Sequence, residues 1–425
     1  MVKKTRIALI SDLHIGAEAI SVDLCPHPID PSKEVGMEKN FLKKLLDFIG
    51  SSNFLNAGPI DFLCVTGDIS DRADPLEFRL ADQIIRKIAD ALNISLDSVF
   101  FVPGNHDVHW PVMQLEPALF WSKYRYEPLL QKELLFKERL LAAHEGSIHE
   151  TPHYVIWKNE RYIVVGINSA ADDDPKPADG KNHGLIYQKT IDELDSVLGS
   201  IPYNPNQFRL CLLHHHPINY SDAMPEFADF SMATNSGNLF TLLSNHNFDL
   251  LFHGHKHVPQ LNHIPANNNG HPMTVLGAGS LSAQISTEWS GLAQNQFHIV
   301  ELAGRNPKTH AAFGNVGTWN FVGRKWCEGE SRLGLCAIEG FGALSTAIEL
   351  EQEIRSKLND LFKDGASYCK WSKLKKIMPD LAYVNTKAAF SAISRVVATD
   401  GYKFMGDLYS KSQDWIILRE DTDHG

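Results

Sequence analysis

Short apolar runs alternate with amphipathic stretches in the N-terminal part of the chain. Residues 6–10, 60–65 and 99–102 are rich in β-branched and aromatic residues, which favour buried strands. Between them, residues 37–49 and 77–92 carry apolar side chains at the three- and four-residue spacing of an amphipathic helix. This strand–helix–strand–helix–strand order predicts parallel β-α-β units, whose ligands bind beyond the carboxyl ends of the strands.

A second group of strands is predicted after residue 150. Residues 154–157 and 162–167 are apolar runs separated by a short turn, which predicts a strand pair and therefore a second sheet. Residues 191–198 have a helical pattern. Further strands are predicted at residues 208–213, 250–252 and 275–280, and short strands within residues 296–326 are expected to complete this second sheet.

Two stretches depart from this rhythm. Residues 111–149 are rich in Leu, Glu, Lys and aromatic residues and are predicted to form one or two helices that cap the strand ends. The alternative is that their aromatic side chains only pack these helices onto the core. After Glu328, three helical stretches and a final strand at 414–418 predict a small α-rich unit that resembles a winged helix. We therefore divide the chain into 1–328, which includes the cap, and a C-terminal appendage, 329–425, of unknown role.

Composition adds limits to this picture. The 425 residues are 43% hydrophobic, and the net charge of −11 argues against tight nonspecific binding of a polyanion unless a local basic groove or bound metal ions override it. Six cysteines without a C-x-x-C pair predict neither a disulfide framework nor a zinc knuckle. No apolar run reaches the roughly 18–20 residues that span a bilayer, and the N-terminus turns polar too early for a signal peptide. We expect a cytoplasmic protein without a membrane partner.

Polar side chains follow the first three strands directly. Asp12 and His14 come after the first strand, where the two-residue period directs both the same way, and Asp68 comes after the second. The sequence GNHD at residues 104–107 follows the third strand. Each motif alone has a structural explanation, such as a helix cap or a turn. Three strand ends at one edge of a parallel sheet instead favour a common site.

Histidines follow two later strands in the same manner. The sequence HHHP occupies residues 214–217, and HGHKH occupies residues 253–257. Histidine is neither a strong strand former nor a preferred turn residue, so local structure alone does not explain these clusters. The strand-end residues that we consider candidates for a common site are Asp12, His14, Asp68, Asn105, His106, His215, His255 and His257.

These donors predict a metal centre and a reaction type. Carboxylate, amide and imidazole groups suit Mn, Fe, Zn, Co or Ni, whereas a structural zinc site commonly uses thiolates. The donors outnumber the usual protein ligands of one ion. Two divalent metal ions about 3.5–4 Å apart, bridged by one carboxylate, would hold a phosphoryl group and lower the pKa of a water molecule. We therefore predict hydrolysis of a phosphoester.

Five sequence blocks resemble the calcineurin-like metallophosphoesterases. In chain order they are Asp12-Leu13-His14, Gly67-Asp68, Gly104-Asn105-His106-Asp107, His215-His216-Pro217 and Gly254-His255-Lys256-His257. One block would be a weak signal, whereas five in order are a strong one, and the resemblance covers residues 5 to about 300. It implies an α/β fold, a two-sheet αββα metallophosphoesterase sandwich, with a dinuclear metal site across the strand ends.

The resemblance also implies a role for each residue of the blocks. One metal ion would be held by Asp12, His14, Asp68 and His257, and the other by Asp68, Asn105, His215 and His255. Asp68 would bridge the two ions. His106 would not be a ligand but would act as an acid or electrostatic stabiliser at the leaving group, and Asp107 would orient it.

The three consecutive histidines at residues 214–216 leave open which of them is a metal ligand. The H-x-P spacing of the family selects His215 as the ligand. On that reading His214 points away from the site along the strand, and His216 contacts substrate. His253 has no role in the family and is expected to lie behind the ligands or at the surface.

The substrate is less well specified than the chemistry. The sequences at residues 66–71 and 101–107 look most like the branch that contains class III cyclic-nucleotide phosphodiesterases, so we expect a phosphodiesterase acting on a small nucleotide-like phosphoester. One alternative is a DNA or RNA nuclease of the same family, whose C-terminal appendage recognises nucleic acid or a protein partner. Another is a scaffold without activity, although such proteins typically lose ligands and none is lost here.

Overall fold

The computed structural model describes most of the chain. The described residues are 4–108 without 33 and 35, 147–171, 183–219, 231–265, 270–285, 293–307, 310–330, 332, 334–342, 346–409 and 414–419. The helical cap predicted at 111–149 lies outside these residues except at its end, where residues 147–149 belong to a strand rather than a helix.

Strands and α-helices alternate in two parts of the described chain, residues 5–102 and residues 162–253. The described strands are β1 (Thr5–Ile10), β2 (Phe62–Thr66), β3 (Val99–Val102), β4 (Ser147–Glu150), β5 (Tyr154–Lys158), β6 (Tyr162–Ile167), β7 (Phe208–Leu212), β8 (Leu250–His253), β9 (Gln260–Ile264), β10 (Met273–Gly277), β11 (Asn295–Arg305), β12 (Ala312–Val322), β13 (Lys325–Glu328), β14 (Ile338–Phe341), β15 (Tyr368–Lys370), β16 (Tyr402–Met405) and β17 (Ile416–Arg419). The described α-helices are α1 (Phe41–Ser51), α2 (Asn53–Asn56), α3 (Pro75–Ala91), α4 (Gln188–Gly199), α5 (Ser236–Asn245), α6 (Ala347–Lys363), α7 (Trp371–Ile377) and α8 (Thr386–Asp400).

The first sheet contains the three N-terminal strands. Its order is β13-β12-β11-β1-β2-β3, with β14 also paired to β12. Strands β1, β2 and β3 run parallel, as the alternation with helices predicts. The helix between β2 and β3 begins at a capping box, because the Asp74 side chain accepts a hydrogen bond from Leu76 N and Glu77 reciprocates.

The prediction that residues 296–326 complete the second sheet is wrong. Strand β11 pairs antiparallel with β1 in the first sheet, and β12 pairs with β11. Both strands have eleven residues. The residues of β12 alternate between buried and half-buried positions over most of its length, whereas the first six residues of β11 are all buried, and neither pattern reveals the partner strand. The sheet also continues beyond residue 328, because β14 pairs with β12.

The second sheet has the order β4-β5-β6-β7-β8-β10-β9, and β6, β7, β8 and β10 run parallel. Alternate residues of its strands serve two cores. Leu210 and Leu212 of β7 join the core between the two sheets, whereas Cys211 and the following Leu213 pack with residues of α4 and α5 on the outer face. The α/β fold with two facing sheets and outer helices is the predicted architecture, and it is confirmed.

The C-terminal appendage has a core of its own. Helices α6, α7 and α8 bury Ile354, Leu374 and Ile393 against a small sheet of order β15-β17-β16. The α-rich character was predicted, but the three- and four-residue strands β15 and β16 were not, since runs this short carry little pattern. The appendage contacts the first sheet where the Tyr383 and Phe313 rings lie 4.6 Å apart. Within the described residues, no helix is long and apolar enough to cross a membrane.

Candidate metal centre

Hydrogen bonds donated by backbone amides hold the strand ends of both sheets together. After β1, the amides of Asp12 and His14 donate to the carbonyl oxygens of Gly67 and Asp68, each at 3.0 Å, which ties the first two strand ends together. The His255 amide, after β8, donates to the Asp12 carboxylate at 3.0 Å. Loops from the two sheets therefore deliver the candidate residues to one place.

Four donor atoms form the first ligand group. His14 Nε2 lies 3.3 Å from His257 Nε2 and 3.5 Å from Asp68 Oδ2, and His257 Nε2 lies 3.3 Å from Asp12 Oδ1. Donors placed tetrahedrally around an ion at bond lengths of about 2.0–2.2 Å are separated by about 3.4 Å. The spacing of these nitrogen and oxygen atoms therefore fits a divalent ion.

Four atoms form the second ligand group. His214 Nε2 lies 3.2 Å from Asp68 Oδ2 and 3.1 Å from Asn105 Oδ1, and His255 Nδ1 lies 3.1 Å from the same Asn105 oxygen. His214 Nε2 and His255 Nδ1 are 3.2 Å apart. Since Asp68 Oδ2 belongs to both groups, Asp68 is placed where a bridging carboxylate would lie.

The structure brings His214 to this group, so the expectation that His214 points away from the site is wrong, whereas the ligand role of His215 stays a prediction. The physical reason is the two-residue period of β7. Leu210 and Leu212 face the core between the sheets, and His214 continues on that side. Its Nδ1 donates to the Thr66 carbonyl oxygen at 2.8 Å, which turns Nε2 towards Asp68.

The other histidines of the two clusters are buried beside the ligands. His215 Nδ1 lies 3.0 Å from Ser169 Oγ, and the His215 ring centroid is 4.6 Å from that of His255. His216 is fully buried and its ring lies parallel to that of His255 with centroids 5.9 Å apart, so substrate contact at this residue stays a prediction. His253 is buried rather than at the surface, and burial lowers its pKa to about 3.

His106 lies at the rim of the first group, half-exposed. Its ring centroid is 4.6 Å from that of His14, and its ring nitrogen falls within 4.8 Å of donor atoms of His14 and Asp68. Its Nδ1 donates to the carbonyl oxygen of Asp71 at 2.8 Å, which leaves Nε2 for the site. Burial lowers the pKa of His106, but Asp68 and Asp71 outweigh burial and raise it above its usual value.

The structure assigns Asp107 a different task from the predicted one. Its buried carboxylate accepts hydrogen bonds from the amides of Ile69, Ser70 and Gly104 and from the hydroxyl of Ser70. Asp107 thus fixes the loop that carries Asp68, whereas Asp71 orients His106. This role of Asp71 is not predictable from the sequence, because a contact made by a backbone carbonyl leaves no trace in the residue type.

Backbone strain concentrates at the candidate ligands. Asp12, His14, Asp68, His255 and His257 all have positive φ, between 48° and 76°. A left-handed conformation costs a non-glycine residue roughly 1–2 kcal/mol and persists only where the surroundings enforce it. Five strained residues that converge on one point indicate a functional site rather than ordinary loops.

Two glycines of the sequence blocks are required by close approach. A Cβ at Gly104 would lie 2.1 Å from Asp68 Oδ1, and a Cβ at Gly254 would lie 2.5 Å from Asp12 Oδ2. Any side chain at these positions would displace a candidate ligand. The glycines therefore form a cradle for the carboxylates of the two groups.

The electrostatics leave Asp68 and His14 in the forms that bind metals, whereas His214 must first lose a proton. Burial raises the pKa of Asp68, but His214 and His106 outweigh burial and hold that pKa well below its usual value. Burial lowers the pKa of His14 to about 3. Burial alone would lower the pKa of His214, but Asp68 raises it to about 9, so without ions this imidazole carries a proton that metal binding would release. Oxygen and imidazole donors in these two groups fit a pair of divalent metal ions.

Comparisons with known proteins place the chain in a family. The chain has low similarity to solved structures of a purple acid phosphatase from yellow lupin, Lupinus luteus (12% identity, 77% of this chain and 53% of that chain, TM-score 0.44), and a metallophosphoesterase from Sphaerobacter thermophilus (14% identity, 70% and 84%, TM-score 0.28). It thus spans about half the length of the lupin enzyme. A search of curated proteins gave no significant match.

The family profile carries the assignment. The profile described as calcineurin-like phosphoesterase matches residues 5–259, which is more than half of the chain and includes every candidate ligand from Asp12 to His257. Members of this family typically bind a dinuclear metal centre and hydrolyse phosphoesters. From the extent of this match and the order of the ligands along it, we conclude that the chain belongs to the calcineurin-like phosphoesterase family.

Proposed function

We propose that the protein is a metal-dependent phosphodiesterase that acts on a small nucleotide-like substrate, such as a cyclic nucleotide. The observation that supports this proposal is the shared position of Asp68 Oδ2, 3.5 Å from His14 Nε2 and 3.2 Å from His214 Nε2, with His106 at the rim. Two adjoining ligand groups with a proton-carrying imidazole beside them suit the hydrolysis of a phosphoester.

The candidate ligands would hold two metal ions. Asp12, His14 and His257 would hold one ion, and Asn105, His214 and His255 the other, with Asp68 between them. When bound, two divalent ions supply positive charge for the phosphoryl oxygens and lower the pKa of a water molecule. We propose Mn²⁺ as the ion for assays, since the oxygen and nitrogen donors suit it.

His106 would donate a proton to the leaving oxygen of the substrate. The Asp71 carbonyl oxygen fixes the ring by accepting from Nδ1, so a proton on Nε2 is presented to the site. The raised pKa of His106 favours the protonated form that such a donor needs. An alcohol leaving group of high pKa gains most from this proton, which supports a phosphoester of a sugar alcohol as substrate, and the choice of a diester follows from the resemblance of the motifs to cyclic-nucleotide phosphodiesterases.

The proposal includes a cytoplasmic location. All six cysteines are free thiols, three of them buried, which suits a reducing compartment. Separating the organelle and cytosol fractions of the source cells and probing them with an antibody would test this part.

A hydrolysis panel with Mn²⁺ tests the proposed reaction. The substrates are a generic aryl phosphodiester, an aryl phosphomonoester, cyclic AMP, and labelled single- and double-stranded DNA. Turnover of cyclic AMP or the small diester without DNA cleavage supports the proposal. DNA cleavage, or turnover of the monoester alone, would replace it with the nuclease alternative or with a phosphatase. The Asp68→Ala variant serves as the control for contaminating phosphoesterases, because it removes the shared ligand.

A further inference from the structure

The small sheet of the C-terminal appendage presents an unusual outer face. The cross-strand register places Tyr368, Leu418 and Lys403 in one row and Lys370, Ile416 and Met405 in the next. Since side chains alternate across a sheet, these six residues share one face, which we call the sheet platform. The opposite face buries Cys369 and Ile417 against the helices.

The platform is exposed although half of it is apolar. Tyr368 and Met405 are 50% and 52% exposed, and both lysines are exposed, whereas Cys369 and Ile417 on the other face are 0% and 1% exposed. Ile416 and Leu418 on the central strand are half-buried. An uncovered apolar centre of this kind is typical of a binding surface.

The charges of the platform have one sign. Lys370 on β15 and Lys403 on β16 lie on opposite edge strands, and neither has a salt-bridge partner within the described parts of the chain. On the helical side, by contrast, Arg355 pairs with Asp400 and Arg395 with Glu351. Residues 366–405 hold seven basic and two acidic residues in a chain whose net charge is −11. Over the whole appendage, residues 329–425, thirteen basic and fourteen acidic residues nearly cancel, so the positive charge is local to residues 366–405 and to the platform lysines.

We propose that the sheet platform binds single-stranded nucleic acid. Tyr368 and the apolar side chains of β17 offer a surface for unstacked bases, and the lysines at either edge, about 10 Å apart for two strand spacings, face the phosphates on both sides of such bases. A second copy of this chain is a poorer occupant, because a two-fold contact would bring the lysines of the two platforms together. The proposal is independent of hydrolysis at the metal centre.

The test measures binding of the full-length protein to fluorescein-labelled 12-nucleotide dT and rU strands by fluorescence anisotropy at 50 mM salt. The charge variant Lys370→Glu/Lys403→Glu should weaken binding at least about tenfold and make the slope of log K against log salt shallower by about 1.4, or 0.7 for each lost phosphate contact. The matched control Lys357→Glu/Lys363→Glu alters two exposed lysines of α6 by the same charge and should change affinity less than about twofold.

Stacking is tested separately from charge. Tyr368→Ala should weaken binding about five- to tenfold, whereas Tyr368→Phe, which keeps the ring, should bind like the wild type. Thermal unfolding of each variant verifies that the appendage remains folded, and the Phe variant keeps the test valid if the Ala variant unfolds. Four results would each overturn the proposal. Two of them concern comparisons: an equal loss of affinity in the platform variant and the α6 control variant, or tighter binding of a duplex of the same sequence. The other two are no binding of either strand at 100 μM protein, and dimerisation through the platform in sedimentation.

Discussion

At the residue scale, His106 and Asp107 are neighbours with separate tasks. His106 turns a ring nitrogen towards the ligand groups, while Asp107 accepts hydrogen bonds from Ile69, Ser70 and Gly104 inside the loop. His106→Ala should therefore keep bound metal and slow turnover by about 10²–10⁴, the usual contribution of a positioned proton donor. Asp107→Ala should instead loosen Asp68 and reduce metal content as well.

Metal analysis by mass spectrometry together with kcat distinguishes the two variants. Loss of metal in His106→Ala would contradict the assignment of His106 as a proton donor that does not bind metal.

His214 and His215 provide a matched pair for a second prediction. His214→Ala removes a nitrogen that lies 3.2 Å from Asp68 Oδ2, so affinity for Mn²⁺ should fall by more than about 100-fold. His215→Ala removes a neighbour of the ligands, and its effect should be about tenfold or less. Calorimetric titration of the metal-free protein with Mn²⁺ measures both. A larger loss in His215→Ala would restore the H-x-P assignment.

At the element scale, a buried ion pair links the two sheets. Asp249, just before β8, accepts a hydrogen bond at 2.7 Å from Arg305 at the end of β11, and the Arg209 amide of β7 donates to the same carboxylate at 2.9 Å. The pKa of Asp249 is lowered: burial alone would raise it, but His271 and Arg305 outweigh burial. Removing one partner of such a pair costs about 3–5 kcal/mol.

This pair makes stability depend on pH with a known sign. A carboxylate with a depressed pKa stabilises the fold above the unfolded-state pKa of about 3.9, and the stabilisation is lost as pH falls through the folded-state pKa. The unfolding free energy of wild type should exceed that of Asp249→Asn by roughly 3 kcal/mol at pH 7, with the difference shrinking below about pH 4. Urea unfolding from pH 3 to 7 measures this difference. A difference that stays constant over the range would show that the charge of Asp249 is not the cause.

The positions of the strand ends were predictable from the sequence, whereas several contacts between elements were not. Strand ends were predictable, because apolar runs stop at Asp12, Asp68 and Asn105, and these residues do meet. The direction of His214 follows from the two-residue period of β7, because Leu210 and Leu212 face the core between the sheets, whereas the H-x-P spacing points to His215. The contact of His106 with the Asp71 carbonyl and the pairing of β11 with β1 were not predictable, since both depend on tertiary packing rather than on residue type.

At the scale of the whole molecule, the junction between residues 1–328 and the appendage defines a further prediction. Leu335 and Phe341 belong to the main core, beyond the division predicted at residue 328. A chain that ends at residue 342 should fold and bind Mn²⁺. A chain that ends at residue 328 should be less stable by several kcal/mol, roughly 2 for each of these side chains.

Thermal unfolding and metal content of the two shortened chains measure this effect. The longer one loses the contact between Tyr383 and Phe313 but keeps β14 on β12, so its metal content should equal that of the full chain. Equal stability of the two shortened chains would mean that residues 329–342 add nothing to the stability of residues 1–328, and the boundary at 328 would then be preferred.

The central claim is that Asp68 joins two metal sites. Its most direct test is anomalous diffraction at the manganese absorption edge from crystals of the protein grown with Mn²⁺. We predict two peaks about 3.5–4 Å apart, one beside Asp12, His14 and His257, the other beside Asn105, His214 and His255, with Asp68 in contact with both. A single peak, two peaks that do not share Asp68, or His215 in place of His214 as a ligand would contradict the account.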